Sequence, residues 1–260
     1  MVTFAIALLL LWSPLVLSIF VVWGVNSTTS TFTLVILYGL FLGLAWVWAS
    51  QVYGHSRPWQ YYGLSWTPDN GLAFLGGLGL GGFVLLGLLG LELRLGWILW
   101  KPPAIAFLQV LVEGLIVAIA VGVTEEVLFR GWLLTELERD CAPGPAVAWS
   151  SLLFALLHFI RPLPEILRTW PRVFGLFLLG ATLVWAKRCC GGNLGLAIGF
   201  HAGLVWGYYA IDVGQLISYS GAVPTWVTGI NQNPLAGVMG LVWLGGLAWG
   251  FQRYALHHPD

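Results

Sequence analysis

Charge is the scarcest property of this chain. Only 8% of its 260 residues are Asp, Glu, Lys or Arg, against about 25% in a soluble domain. The 11 basic and 11 acidic residues cancel, and no run of Lys or Arg occurs. Nothing here suits a nucleic-acid backbone, so no nucleic-acid partner is expected. Cysteine is also rare: Cys141, Cys189 and Cys190 are the three present, with no C-x-x-C spacing. That argues against a disulfide framework or a cysteine metal site and leaves ordinary buried or interfacial thiols. The apolar N-terminus lacks a basic n-region and a small-residue cleavage site, so it is expected to be a retained first span. The tripeptide Asn26-Ser-Thr28 has the form of a glycosylation acceptor, but it is three common residues in a short loop.

What is present is apolar surface. Hydrophobic residues make up 58% of the chain and mean hydropathy is +0.85. The expectation is a multi-pass integral membrane protein in the plasma membrane, all-α, a single domain over 1–260, with membrane lipid as a partner. A helix crosses the hydrocarbon with about 20 apolar residues. By that ruler eight spans are expected, at 3–23, 31–50, 71–91, 105–130, 145–160, 173–188, 194–212 and 234–252, the fifth and sixth being short. The charges and prolines concentrate between them, as in Pro143-Gly-Pro145 or the run Asn231-Gln-Asn233 before Pro234. Many of the 16 Trp fall near span ends, as an interfacial belt requires. Lys and Arg divide almost equally between alternate loops (Lys187 and Arg188 counted with one side), so orientation is not set by charge.

Two glycine patterns speak to packing. One is Gly76-Gly-Leu-Gly-Leu-Gly-Gly82; the other is Gly195, Gly199, Gly203 and Gly207, four residues apart each time. Small residues at i, i+4 let another helix approach closely. Both stripes lie mid-span, which does not fit a phosphate cradle at a helix N-terminus.

Few titratable side chains fall inside the spans: Glu113, Glu125, Glu126, Arg130, His158 and His201. Each charge at membrane depth costs roughly 2.5–3.5 kcal/mol on insertion scales, so such groups face a protein interior and usually serve a function. They occupy only the fourth, fifth and seventh spans and converge if those helices pack together. Glu126 and Arg130 are spaced i, i+4 and can pair, which turns Glu125, about 100° away, toward a cavity. Alternatively Arg130 serves both carboxylates as a fork. A carboxylate in low dielectric beside another is suited to act as a general base for water. His201 stands about 200° around its helix from the glycine stripe. Glu113 is expected to be structural, paired with Gln109 four residues earlier or with a polar group on another helix.

Three ordered motifs carry a family resemblance: Glu125-Glu-Val-Leu-Phe-Arg130 as E-E-x-x-x-R, Phe154-Ala-Leu-Leu-His158 as F-x-x-x-H, and His201 after a Gly-rich approach from Gly191. Over residues 105–210 the chain resembles the CPBP family of intramembrane proteases, which includes CAAX prenyl endopeptidases and Abi-like, bacteriocin-processing proteins. The resemblance implies an intramembrane endopeptidase without a cofactor, acting on a membrane-embedded or lipidated peptide or protein. It implies Glu125 as the base that activates water, His158 as a holder of that water and His201 as the stabiliser of the oxyanion. Glu126 and Arg130 would support the site or engage the substrate. One position departs: the polar residue usual four places after the last His is Val205 here, with Asn193 or Tyr208 as possible replacements.

Two alternatives stand beside this reading. His158, His201 and Glu125 could be zinc ligands of a metalloendopeptidase, although no H-E-x-x-H is present. Val205 favours a membrane scaffold or immunity protein without catalysis, and intramembrane carboxylates and histidines also build proton relays.

Overall fold

A computed structural model describes residues 1–103, 106–230 and 233–257. Ile105, the expected start of the fourth span, and Asn231 and Gln232 lie outside the described residues. In chain order the elements are α1 (Val2–Trp23), α2 (Ser27–Val47), α3 (Pro58–Tyr61), α4 (Pro68–Arg94), β1 (Ile98–Trp100), α5 (Phe107–Glu126), α6 (Leu134–Asp140), α7 (Pro143–Leu157), α8 (Leu163–Thr169), α9 (Arg172–Arg188), α10 (Gly195–Val213), β2 (Ile217–Tyr219), α11 (Thr225–Thr228) and α12 (Val238–His257). A helical segment stands at each of the eight expected places, and the fold is all-α. The count of eight spans needs correction. Among the described residues five helices are long and apolar enough to cross a membrane, or six if α8 and α9, bent by 76°, form one span. The sequence ruler counted apolar residues and could not see the bend. The fifth span, expected to be short, is α7 with 15 residues, and α12 carries Gln252 and Arg253 in its last turns.

Two units are distinguished by their internal contacts, Met1–Tyr62 and Gly63–Asp260. In the first, α1 lies along α2, with the Phe4 ring against Phe41 and Trp48 and Trp12 Nε1 donating to Thr33 O at 2.8 Å. The loop asparagine of the glycosylation-like tripeptide proves to be a helix cap. Asn26 Oδ1 accepts from Thr29 N at 2.9 Å, and Asn26 N donates to Thr29 Oγ1 at 3.0 Å. The reciprocal pair satisfies two donors that a helix start leaves open.

The second unit is organised around α10, which packs on α4, α5 and α9. Its glycine stripe lies against α4. A Cβ at Gly199 would collide with Phe74 O, and one at Gly203 with Leu78 O; from the α4 side, a Cβ at Gly77 would meet Phe200 N at 2.7 Å. The two backbones are therefore in direct contact, as small residues in membrane helices permit. Asn70 fastens the ends of this seam, accepting from Gly195 N at 2.8 Å and donating to Ser65 O at 2.8 Å. α12 and α7 complete the unit by packing on α9. The loops after α4 and α10 pair as a short antiparallel ribbon, with Leu99 opposite Ser218, an element the sequence did not signal. None of the three cysteines forms a disulfide among the described residues, and partial burial pushes the Cys189 thiol up to about 11, which suits an unreactive thiol.

Candidate active site

Helix α5 does not end at its acidic pair. It continues as a π-helical turn, Val127–Leu133, into α6, so that one helical rod runs over Phe107–Asp140. A π turn inserts a residue and misaligns the ladder of backbone bonds, and such turns concentrate at functional sites. The carbonyls it frees find side-chain donors. Lys187 Nζ, from α9, donates to Arg130 O at 2.7 Å. Thr135 Oγ1 donates to Gly131 O at 2.5 Å. Without such donors, buried carbonyls would carry a desolvation cost of about 1–3 kcal/mol each.

The carboxylates separate as helix geometry demands. Glu126 points inward and is fully buried, as is Arg130. Arg130 Nη1 donates to Glu126 Oε1 at 2.8 Å and Arg130 Nη2 to Gly180 O at 3.1 Å. The guanidinium carbon lies 4.2 Å from the centre of the Phe154 ring. That ring also packs against both imidazoles, with centroid distances of 4.7 Å to His158 and 6.1 Å to His201. Arg130 thus braces Glu126 and does not act as a fork for both acids. Gly180 allows this because α7 passes at contact distance: a Cβ there would meet Ser151 Cα at 2.9 Å.

Glu125 turns the other way and keeps 27% of its side-chain surface exposed. Its Oε2 is buried and has no hydrogen-bond partner among the described residues. Two imidazole nitrogens face that oxygen, His158 Nε2 at 3.7 Å and His201 Nε2 at 3.9 Å. These gaps are too long for direct hydrogen bonds and short enough for one water to serve all three groups.

The far sides of the two rings are anchored differently. His158, just past the end of α7, places Nδ1 2.7 Å from Phe154 O. A carbonyl only accepts, so Nδ1 carries the proton and the neutral ring leaves Nε2 as an acceptor. His201 places Nδ1 2.8 Å from Glu126 Oε1, the same oxygen that Arg130 holds. An ionised Glu126 accepts a hydrogen bond from Nδ1–H, and His201 Nε2 then donates only when the ring is an imidazolium.

All five residues singled out in sequence, Glu125, Glu126, Arg130, His158 and His201, therefore meet in one constellation on α5, its π turn, α7 and α10. Glu113 does not join it. It pairs with Gln109 Nε2 at 2.7 Å on an exposed face. Asn193 is committed to Ser65 and Cys190 O at the loop before α10. It lies eight positions before His201, outside the helix that carries that imidazole. Two contributors went unrecognised in the sequence. Lys187 read as a loop charge; its position seven residues after Gly180, two turns along one face, was the available signal. Phe154 was read as a motif letter and is the aromatic wall of the site. Among the described residues no group of three His, Cys, Asp or Glu side chains is placed to hold a metal ion.

Residues 107–207 match the family model described as Rce1-like, type II CAAX prenyl endopeptidase Rce1-like. The match covers the acidic pair, both imidazoles and the helices between them, roughly two fifths of the chain. Neither the curated proteins nor the solved structures contain a match. Over that segment the chain is similar to the type II CAAX prenyl endopeptidases.

Proposed function

From that similarity we propose that this integral membrane protein hydrolyses a peptide bond at membrane depth, using a water activated by Glu125. The observation that carries the reading is Glu125 Oε2, buried, without a hydrogen-bond partner among the described residues, and faced by two imidazole nitrogens at 3.7 and 3.9 Å. A carboxylate so placed takes a proton from water as the oxygen attacks the scissile carbonyl. His158 Nε2 accepts the other water hydrogen and fixes the attack direction. The developing oxyanion needs a donor, and His201 as an imidazolium supplies one from Nε2. In that form the charges of Glu125, Glu126, Arg130 and His201 balance, so the buried site carries no net charge into the reaction. Val205 stands one turn beyond His201 and offers no donor, which leaves this role to the imidazolium. The proton on Glu125 then passes to the leaving nitrogen as the C–N bond breaks. The substrate is a membrane-embedded or lipidated peptide or protein.

Glu125→Gln tests the proposal, because it keeps the shape and removes the base. Cleavage should fall by about 10²–10⁴-fold while the purified variant keeps the thermal unfolding profile of the parent. Undiminished cleavage would sink the reading. Chelator treatment separates the zinc alternative: loss of activity restored by added zinc favours it, and indifference favours the metal-free mechanism.

A further inference from the structure

Where α4 and α10 end, the ribbon of β1 and β2 borders a cavity of about 580 Å³. Its polar lining is Lys101, Tyr208, Asp212, Gln215, Ser218 and Tyr219. We propose that this cavity is a lipid site, taking a phosphoethanolamine headgroup with its phosphate on Lys101 and its ammonium on Asp212. The inference goes beyond the peptidase reading and does not rest on it.

Placement comes first. Both α4 and α10 are long and apolar enough to cross a membrane, so a cavity where they end lies near the level of lipid headgroups. Trp100, next to Lys101, is 54% exposed, as an aromatic of the interfacial belt is. The volume corresponds to about twenty waters, room for a headgroup and far more than a bare ion fills. The backbone around it is held in place, with Lys101 N donating to Leu216 O at 2.7 Å. Gln215 has φ 52°, a left-handed conformation that no other non-glycine among the described residues adopts. Such strain persists only where the surroundings over-determine it.

The charges call for a zwitterion. Lys101 and Asp212 line one cavity with opposite signs, yet neither side chain forms an ion pair or hydrogen bond among the described residues. A ligand that carries both charges satisfies both. Glu92, on α4, is fully buried, and neither of its carboxyl oxygens is hydrogen-bonded among the described residues. It stands close enough to act on the cavity wall: burial, then Glu92, Tyr208 and Asp212, push the Tyr219 hydroxyl above the usual phenol range. That hydroxyl is also buried without a hydrogen-bond partner among the described residues. Two acids against one lysine draw the cationic end of a ligand toward α10. The Asp212 carboxylate, the Tyr208 and Ser218 hydroxyls and the Gln215 amide oxygen can all accept hydrogen bonds. A primary ammonium with three N–H donors matches them, and a trimethylammonium does not. One carboxylate in the lining is too few for a divalent cation, which gathers several charged oxygens.

The test is native mass spectrometry of the purified full chain, released from detergent and titrated separately with phosphatidylethanolamine, phosphatidylcholine and phosphatidylglycerol of the same acyl chains. The affinity of the first bound lipid is read. Phosphatidylethanolamine should bind at least about tenfold more tightly than phosphatidylcholine, the range of a charge-assisted hydrogen bond. Asp212→Asn should bring that ratio close to one, and Lys101→Met should weaken both lipids together. Equal affinity for the two lipids overturns the proposal, as does a preference that survives Asp212→Asn or an affinity unchanged by Lys101→Met. Phosphatidylglycerol bound as tightly as phosphatidylethanolamine would reduce the site to a lysine that collects anions and overturn it too. Displacement of the lipid by an equal concentration of free phosphoethanolamine would make a soluble zwitterion the occupant and overturn the lipid. The comparison of lipids needs no substitution, so it decides the matter even if a variant does not fold.

Discussion

Along one face of α10, Gly195, Gly199, Gly203 and Gly207 bring α4 close enough that no Cβ fits between. Along the other, His201 reaches a carboxylate that a fully buried arginine already holds. The glycine face binds by close van der Waals contact and leaves no polar group to satisfy. The histidine face buries charge, which is favourable only while every partner is present. One helix therefore combines a seam that is rigid because it contains almost nothing with a site held by a buried ion pair that an imidazole shares. The first face gives the second a fixed backbone from which to aim.

The largest effect should come from breaking the buried pair. Arg130→Met leaves Glu126 as an undercompensated buried charge and should cost about 3–5 kcal/mol, read as unfolding free energy in detergent. Replacing both members, Glu126→Leu with Arg130→Met, should recover much of that loss, since an apolar pair of similar volume pays no desolvation. Cleavage should not recover, because His201 then lacks the carboxylate that fixes its Nδ1. A single variant costing under about 1 kcal/mol would show that the pair is not the brace of the site.

The glycine face should respond more weakly and without chemistry. Gly199→Ala inserts one methyl against the backbone of α4 and should cost about 1–3 kcal/mol, the usual range for overpacking. Gly79→Ala is the matched control: it lies on an exposed part of α4 with nothing within 4 Å of the added Cβ and should stay within about 0.5 kcal/mol of the parent. Equal effects at the two positions would mean that the stripe does not set the spacing of the helices.

Much of this contrast was legible in sequence, because it depends on one number. At about 100° per residue, Glu125 and Glu126 must diverge, and His201 must oppose the glycines. What stayed hidden was whatever departs from that regular geometry. The π turn at Val127–Leu133 has no residue signature in this chain, and with it went the use of Lys187 as donor to Arg130 O. The bend between α8 and α9 was foreshadowed only by Pro162, Pro164 and Pro171, which announce a break without giving its angle. The ribbon of β1 and β2 joins residues more than a hundred positions apart, beyond the reach of local pattern. Asn26 shows the opposite case: its tripeptide matched a modification pattern, while its place before a helix explained it better.

The smallest effect should come from the aromatic wall between the pair and the imidazoles. The Phe154 ring touches Arg130, His158 and His201, so Phe154→Leu keeps an apolar side chain and removes the π face. The loss of a desolvated cation–π contact should cost about 1–2 kcal/mol, less than severing the Arg130 salt bridge because that bridge survives. His158 keeps its anchor, since Nδ1 bonds to the backbone carbonyl of residue 154 and not to its ring. The ring of His201 keeps Glu126. Both imidazoles lose only the surface that limits their tilt, so kcat should fall about tenfold, at the low end of what mispositioning costs, with KM little changed. A variant as stable as the parent but losing substrate affinity instead of turnover would place Phe154 on the substrate path and not behind the catalytic groups.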